Sequence, residues 1–428
     1  MGCWYRSRGA RFRLPPLALA SVWILSLASI LLMLFRPRGI AEAWWIGGGA
    51  LLLVVTGLLP LSGAVHAIRE GLDVYLFLIG MMLLAETARH EGVFDWVAGI
   101  AVGHAKASPV RLFLLIYLAG AVVTIFLSND ATAVVLTPAV LAAVRRARVS
   151  PRPYLLICAL IANAASFVLP ISNPANLVIY DARMPTLPDW LRIFLIPSAV
   201  SMLATYFILY LISKSQLAGE TAEAGTFPPL SPTGKAALAG IVVSAIVLLI
   251  ASGLGLQLGA PTCAVGLLAV LLVSFRDRRA ALTVARGVSW SVVPLVAGLF
   301  IIVQALNRAG MLQLAERGMR WAVALPAPAG KFAAGFAVAL LSNGMNNLPV
   351  GLAAGTALRH AQIGGAIQHA VLIGVDLGPN LSVTGSLATI LWLIVLRREG
   401  VEITAWEFLK AGMIVMPIAL LASLLVLI

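Results

Sequence analysis

Charge is what this sequence has least of. Asp, Glu, Lys and Arg make up 11% of its 428 residues, against about 25% in ordinary soluble domains, while 61% are hydrophobic. So low a charged share excludes a soluble globular protein and indicates a polytopic protein of the lipid bilayer. Cysteine is nearly absent. Cys3, Cys158 and Cys263 lie far apart without metal-ligand spacing, so neither a disulfide framework nor a thiolate metal site is indicated, and no cofactor is implied. A Gly-x-x-x-x-Gly-Lys phosphate loop is missing, so any ATP drive needs a separate ATPase subunit, and a His-Glu-x-x-His zinc motif is missing too. Acidic residues number only 17 against 30 Lys and Arg, a net charge of +13. No basic helix or aromatic platform accompanies that excess, which argues against nucleic acid. The arginines fall in short turns between apolar segments, where they set orientation.

The apolar run Leu17 to Phe35 follows Arg6 to Arg13. It is longer than the 7–15 residues of a signal-peptide core and no Ala-x-Ala site ends it, so it reads as a retained first span. Further apolar segments begin near residues 44, 73, 110, 134, 152 and 190, and again, after the polar stretch 214–234, near 235, 259, 290, 331, 349, 367 and 406. The spans pair at shifts of 215 to 218 residues, and Leu127-Ser128-Asn129 pairs with Leu341-Ser342-Asn343 at 214. The amphipathic pieces Val93 to His104 and Met311 to Leu325 keep step at 218 and read as helices at the interface.

So constant a shift predicts two structural repeats, residues 1–213 and 235–428, joined by the linker 214–234. Each holds about five transmembrane helices and one re-entrant helical hairpin, at about 109–147 and 331–360. Each also holds one discontinuous helix, at 152–180 and 367–396. The expected fold class is therefore an all-α polytopic membrane protein. Five crossings is an odd number, so the second repeat enters from the opposite side and the topology is inverted. Placing the first hairpin on the cytoplasmic side puts 18 of the 30 basic residues inside, Arg276 and Arg278 among them, and the four N-terminal arginines outside.

Small polar residues interrupt these apolar runs at four places: Leu127 to Thr132, Pro170 to Asn176, Leu341 to Asn347 and Gly378 to Gly385. In lipid each unsatisfied amide or hydroxyl costs several kcal/mol, so such breaks are expected to line a protein-enclosed cavity. Candidate substrate-binding residues are Ser128, Asn129, Asn173, Asn176, Ser342, Asn343, Asn346, Asn347, Asn380, Ser382 and Thr384. Capping of the adjoining half-helices is the competing reading. Asp130 and Asp376 are the acids at the breaks. An intramembrane carboxylate is a functional candidate by default, which makes these two the proton-coupling candidates, with N-capping as the alternative. Glu86 and Asp95 read as end-of-span or surface groups with proton transfer as the alternative, the five histidines as loop or interfacial residues, and Arg359 with His360 as an anchor. No catalytic residue is indicated. Tyr180-Asp181 and Gly374-Val375-Asp376 loosely evoke membrane aspartyl proteases, but Leu372-Ile373-Gly374-Val375-Asp376 lacks the first glycine of Gly-x-Gly-Asp.

Phe126 to Pro138, Phe-Leu-Ser-Asn-Asp-Ala-Thr-Ala-Val-Val-Leu-Thr-Pro, resembles the hairpin signature of the ArsB-type bacterial arsenite efflux permeases, a branch of the ion transporter superfamily. Ala162 to Ser166 with Pro170 to Asn176 is similar to that family's broken helix, and the likeness extends through Ser342 to Pro349 and Gly374 to Gly385. It implies secondary active efflux of arsenite and antimonite, as neutral trihydroxides, across the cell inner membrane, coupled to proton entry by alternating access. The hairpin tips read Ser-Asn-Asp and Ser-Asn-Gly where the sodium/dicarboxylate branch has Ser-Asn-Thr, a departure that argues against carboxylate transport. A sodium/proton antiporter or another ion carrier on the same scaffold is the alternative, and a passive channel a further one. Only Cys158 and Cys263 lie in spans, so capture of arsenite by three thiolates is not available.

Overall fold

The computed structural model describes residues 15–218, 229–275 and 279–428. Cys3, the Arg6 to Arg13 segment, linker residues 219–228, Arg276 and Arg278 lie outside the described residues. Within them the chain is helical throughout and no strand forms.

Proline opens several of the helices, at Pro16, Pro109 and Pro232, where its missing N–H has no intrahelical partner to lose and its fixed φ suits the first turn. The amphipathic helices Val93–His104 and Met311–Ala324 are each entered through a glycine of positive φ, Gly92 at 72° and Gly310 at 102°. A side chain at either position would be strained. Two short helices, Leu61–Glu70 and Ala280–Gly287, also occupy matching places in the two halves. With only 10 and 8 residues and mixed polarity, they fall below what hydropathy alone detects.

Six helices among the described residues are long and apolar enough to cross a membrane, and a seventh crossing forms if Leu61–Glu70 and Leu72–His90, bent by 49° at their junction, count as one. Pro109–Phe126 is one of the six, yet it is the first arm of the hairpin, turning back at Leu127. The ten crossings predicted from segment starts include four that are not long single helices. Glu42–Val55 and Gly259–Ser274 have 14 and 16 residues, or roughly 21 and 24 Å at 1.5 Å per residue. The other two are broken into Arg152–Ala164 with Pro174–Tyr180 and Ala366–Leu377 with Leu387–Arg398, as the sequence predicts.

The halves interleave. Leu72–His90 packs along Gly259–Ser274, and in return Val292–Arg308 packs along Glu42–Val55. Gly80 sets the first contact, since a Cβ there would stand 2.2 Å from the Thr262 carbonyl oxygen, and Gly298 crosses Ile46 in the second. Small residues let helix backbones approach where lipid offers no hydrophobic drive for association. Leu187–Ser213 packs on Ala405–Leu425. Val292–Arg308 points Arg308 into a cavity of about 410 Å³ at one end of the bundle. Leu72–His90 begins in that same cavity with Asp73 and ends away from it with Glu86. These two helices, each the fourth in its half, therefore run in opposite directions.

Candidate functional site

The first hairpin turns at Leu127 to Asp130. The Ser128 hydroxyl accepts from the Ala131 N–H at 3.1 Å, and the Asn129 side-chain oxygen accepts from the Asp130 N–H at 2.9 Å. The return arm starts as a π-helix, Ala131–Leu136, before becoming α-helical over Thr137–Arg146. Pro138 explains the widening, because its ring clashes with the carbonyl four residues back and brings no N–H. Thr137 Oγ1 donates instead to the Thr132 carbonyl five residues earlier, at 3.3 Å. Such single π-turns recur at functional sites. Behind the tip, the Thr124 and Thr132 hydroxyls meet at 2.8 Å.

The second hairpin, Ala327–Met345 and Asn347–Ala361, turns through Asn346 at φ 76°. Its side-chain oxygen accepts from the Leu348 N–H at 3.3 Å, starting the return helix. Asn343 faces the other way. It donates to the carbonyls of Ala339 and Gly378, accepts from the Ser382 hydroxyl at 2.6 Å, and offers its own carbonyl to Thr384. Ser342 is buried and bonds within its helix, to the Val338 carbonyl. These groups tie the hairpin to the second broken helix.

The breaks of the two discontinuous helices meet. Asp376 is wholly buried, and its two carboxylate oxygens accept from Asn173 Nδ2 at 2.8 Å and Ser166 Oγ at 2.7 Å. Asn163 Nδ2 donates to Asn380 Oδ1 at 2.9 Å, and Asn380 Nδ2 donates to the Leu160 carbonyl at 3.1 Å. Asn176 donates to the Ser166 carbonyl, closing its own break.

Between the two tips lies a cavity of about 30 Å³ lined by Asn129, Asp130, Asn173, Asn346 and Asn347 together with Glu42. A second void of about 80 Å³ reaches Ser128 and Asp130 from the side of Glu86. No hydrogen bond or ion pair among the described residues reaches the Asp130 carboxylate. Five of the sequence candidates therefore share the central cavity, and Ser128 borders the adjoining one. Asp376, Asn176, Ser342, Asn343, Asn380, Ser382 and Thr384 line neither; Ser342 bonds within its own helix and the other six are engaged in closing the breaks.

Sequence reasoning did not single out Glu42, Asn163 or Ser166. Asn163 and Ser166 stand in the motif Ala162 to Ser166, so their signal was present. Glu42 opens a 14-residue apolar helix with nothing around it to mark it. In the fold its carboxylate pairs with Arg36 Nε at 3.0 Å. Glu86, read as an end-of-span group, is only 6% exposed and is paired with Arg89.

The family model described as "Citrate transporter" matches residues 30–375. An arsenical pump membrane protein of Escherichia coli is 28% identical over 412 residues, covering 90% of this chain and 93% of its own. That of Yersinia enterocolitica is 27% identical, covering 92% and 94%, and a putative arsenical pump membrane protein of Bacillus subtilis is 24% identical over 427 residues. Among solved structures, the YdaH transporter of Alcanivorax borkumensis, described as having an unusual topology, superimposes with a TM-score of 0.52 at 16% identity, over 86% of this chain and 89% of that one. The likeness to it is one of fold.

Proposed function

Since the chain belongs to the citrate-transporter family, CitMHS, we propose that it is a secondary carrier of the inner membrane that exports arsenite and antimonite as neutral trihydroxides in exchange for protons. One observation carries the choice of substrate. The central cavity presents four asparagine carboxamides and the carboxylates of Asp130 and Glu42, with no Lys, Arg or His in its lining. A citrate trianion placed there would meet two carboxylates, Glu42, whose partner Arg36 stands outside the lining, and Asp130, which has no such partner among the described residues. An uncharged trihydroxide needs only donors and acceptors, which carboxamides supply together. The arsenical pump names of the relatives support the same reading.

Asp130 is the coupling group in this account, since its carboxylate has no hydrogen-bond or ion-pair partner among the described residues and borders both voids. Asp376 is a weaker candidate, because protonating it means giving up its acceptor bonds from Ser166 and Asn173. Substrate contact falls to Asn129, Asn173, Asn346 and Asn347, and the other break residues hold these in place. The cavity of about 30 Å³ has room for a water or two but not for a trihydroxide, so binding requires the tips to move apart. Alternating access then follows from two halves of opposite sense meeting at the site. The opposed directions of Leu72–His90 and Val292–Arg308, and the reciprocal packing around them, support inverted repeats. A separate ATPase subunit would add drive without altering this site.

Two carboxylates and four amide oxygens also suit a sodium ion, which keeps sodium/proton antiport as the second reading. Everted vesicles from a pump-deficient strain expressing the protein separate the two. Arsenite accumulation on imposing an acid-inside gradient supports the first, and sodium accumulation with no arsenite uptake supports the second.

A further inference from the structure

Glu86 is a buried carboxylate that the account above does not use. It lies on Leu72–His90 near the face from which the first hairpin enters, and it lines the same void of about 80 Å³ as Asp130 and Ser128. Phe77, Met81, Met82, Val134 and Val292 supply apolar wall between them, so among the described residues Glu86 and Asp130 are the only titratable side chains in that lining. The void exceeds the roughly 10–15 Å³ a water needs, and Ser128 with the two carboxylates gives such water polar partners.

The placement of Glu86 is built. Its carboxylate lies against Gly287, where a Cβ would overlap the carboxylate carbon and one oxygen. Arg89 Nε donates to Glu86 Oε2 at 2.8 Å, and the Arg89 side chain is 52% exposed. The carboxylate thus faces the void on one side and a solvent-reaching cation on the other. Of the groups on surrounding elements, Asp95 lies near Arg89, while Arg279 and Arg286 on the neighbouring short helix have exposed side chains. Glu42, paired with Arg36, borders Asp130 from the central cavity.

We propose that Glu86 is the relay through which Asp130 exchanges its proton with the aqueous phase on the side of the first hairpin's base, Arg89 acting as the gate. The protonated Asp130 gives its proton, through water in the void, to the Glu86 carboxylate. Arg89 swings out as that charge is lost, and Glu86 then releases the proton to solvent and recaptures Arg89. This rests on the proton-coupled reading of the site.

The test uses the purified full-length protein in liposomes, reading gradient-driven arsenite uptake, arsenite–arsenite exchange without a gradient, and the pH profile of each. For Glu86→Gln the expected result is a loss of at least tenfold in gradient-driven uptake with a displaced pH profile, exchange within twofold of the parent, and partial recovery in Glu86→Asp. Gradient-driven uptake equal to the parent overturns the relay. So does an equal fall in uptake and exchange with an unmoved profile, which marks Glu86 as only a structural partner of Arg89. A parent that carries arsenite without responding to the gradient removes the coupling and the relay together, and a parent that carries no arsenite removes the function itself.

Discussion

Asn163 and Asn380 stand 217 residues apart and join side chain to side chain at 2.9 Å, both fully buried. Asn163 lies in the last turn of Arg152–Ala164 and Asn380 just past Ala366–Leu377, so this bond joins the two broken helices at their interruptions. Each lies at a helix interruption whose freed carbonyls and N–H groups need partners, and each supplies its neighbour with one.

Removing either side chain should leave the other with an unmet buried group. Asn163→Ala and Asn380→Ala are each expected to lower stability by about 1–3 kcal/mol. The double variant should be less damaged than the sum, because residues of one network couple by about 0.5–3 kcal/mol. Thermal unfolding midpoints of the detergent-purified proteins check this, and strict additivity would show that the two side chains act separately.

Asp376 should behave as a structural residue. Asp376→Asn places an NH₂ group opposite the Ser166 or Asn173 donor that the carboxylate now accepts from, so a lower unfolding midpoint is expected, on the order of 1–3 kcal/mol. Protein that does fold should retain its response to a pH gradient. A fully stable variant that transports arsenite without coupling would move the coupling role from Asp130 to Asp376.

The interleaving of the halves predicts a sharp contrast between two glycines. At Gly80 an added Cβ meets the Thr262 backbone, whereas at Gly240 it meets nothing within 4 Å. Gly80→Ala is therefore expected to cost about 1–3 kcal/mol through forced separation of the helices. Gly240→Ala should be neutral or stabilising by up to about 1 kcal/mol, the helix-propensity difference. Equal midpoints would mean that the Gly80 crossing is looser than its geometry indicates.

Much of this architecture was legible because hydropathy and helix breakers are local properties. The broken helices, the hairpin arms and the amphipathic pieces at 93 and 311 all follow from runs interrupted by Pro, Gly, Asn and Ser. The direction in which a polar side chain points is not local. Asn129 and Asn343 occupy matching Leu-Ser-Asn tripeptides, yet one faces the cavity and the other ties its hairpin to Gly378 and Ser382. Glu42 and Glu86 sit near the ends of apolar runs, where a charge ordinarily reaches water. What buries them is packing from the second half, Val292–Arg308 along the helix that Glu42 opens and Gly287 against the Glu86 carboxylate, which no reading of their own segments contains.

The most direct test places the parent protein and Asp130→Asn in liposomes and follows labelled arsenite under an imposed pH gradient, with citrate and sodium as parallel cargoes. The account predicts that the parent accumulates arsenite above equilibrium and moves neither citrate nor sodium, and that Asp130→Asn still exchanges arsenite but cannot concentrate it. Accumulation of citrate or sodium without arsenite, or undiminished arsenite accumulation by Asp130→Asn, would contradict it.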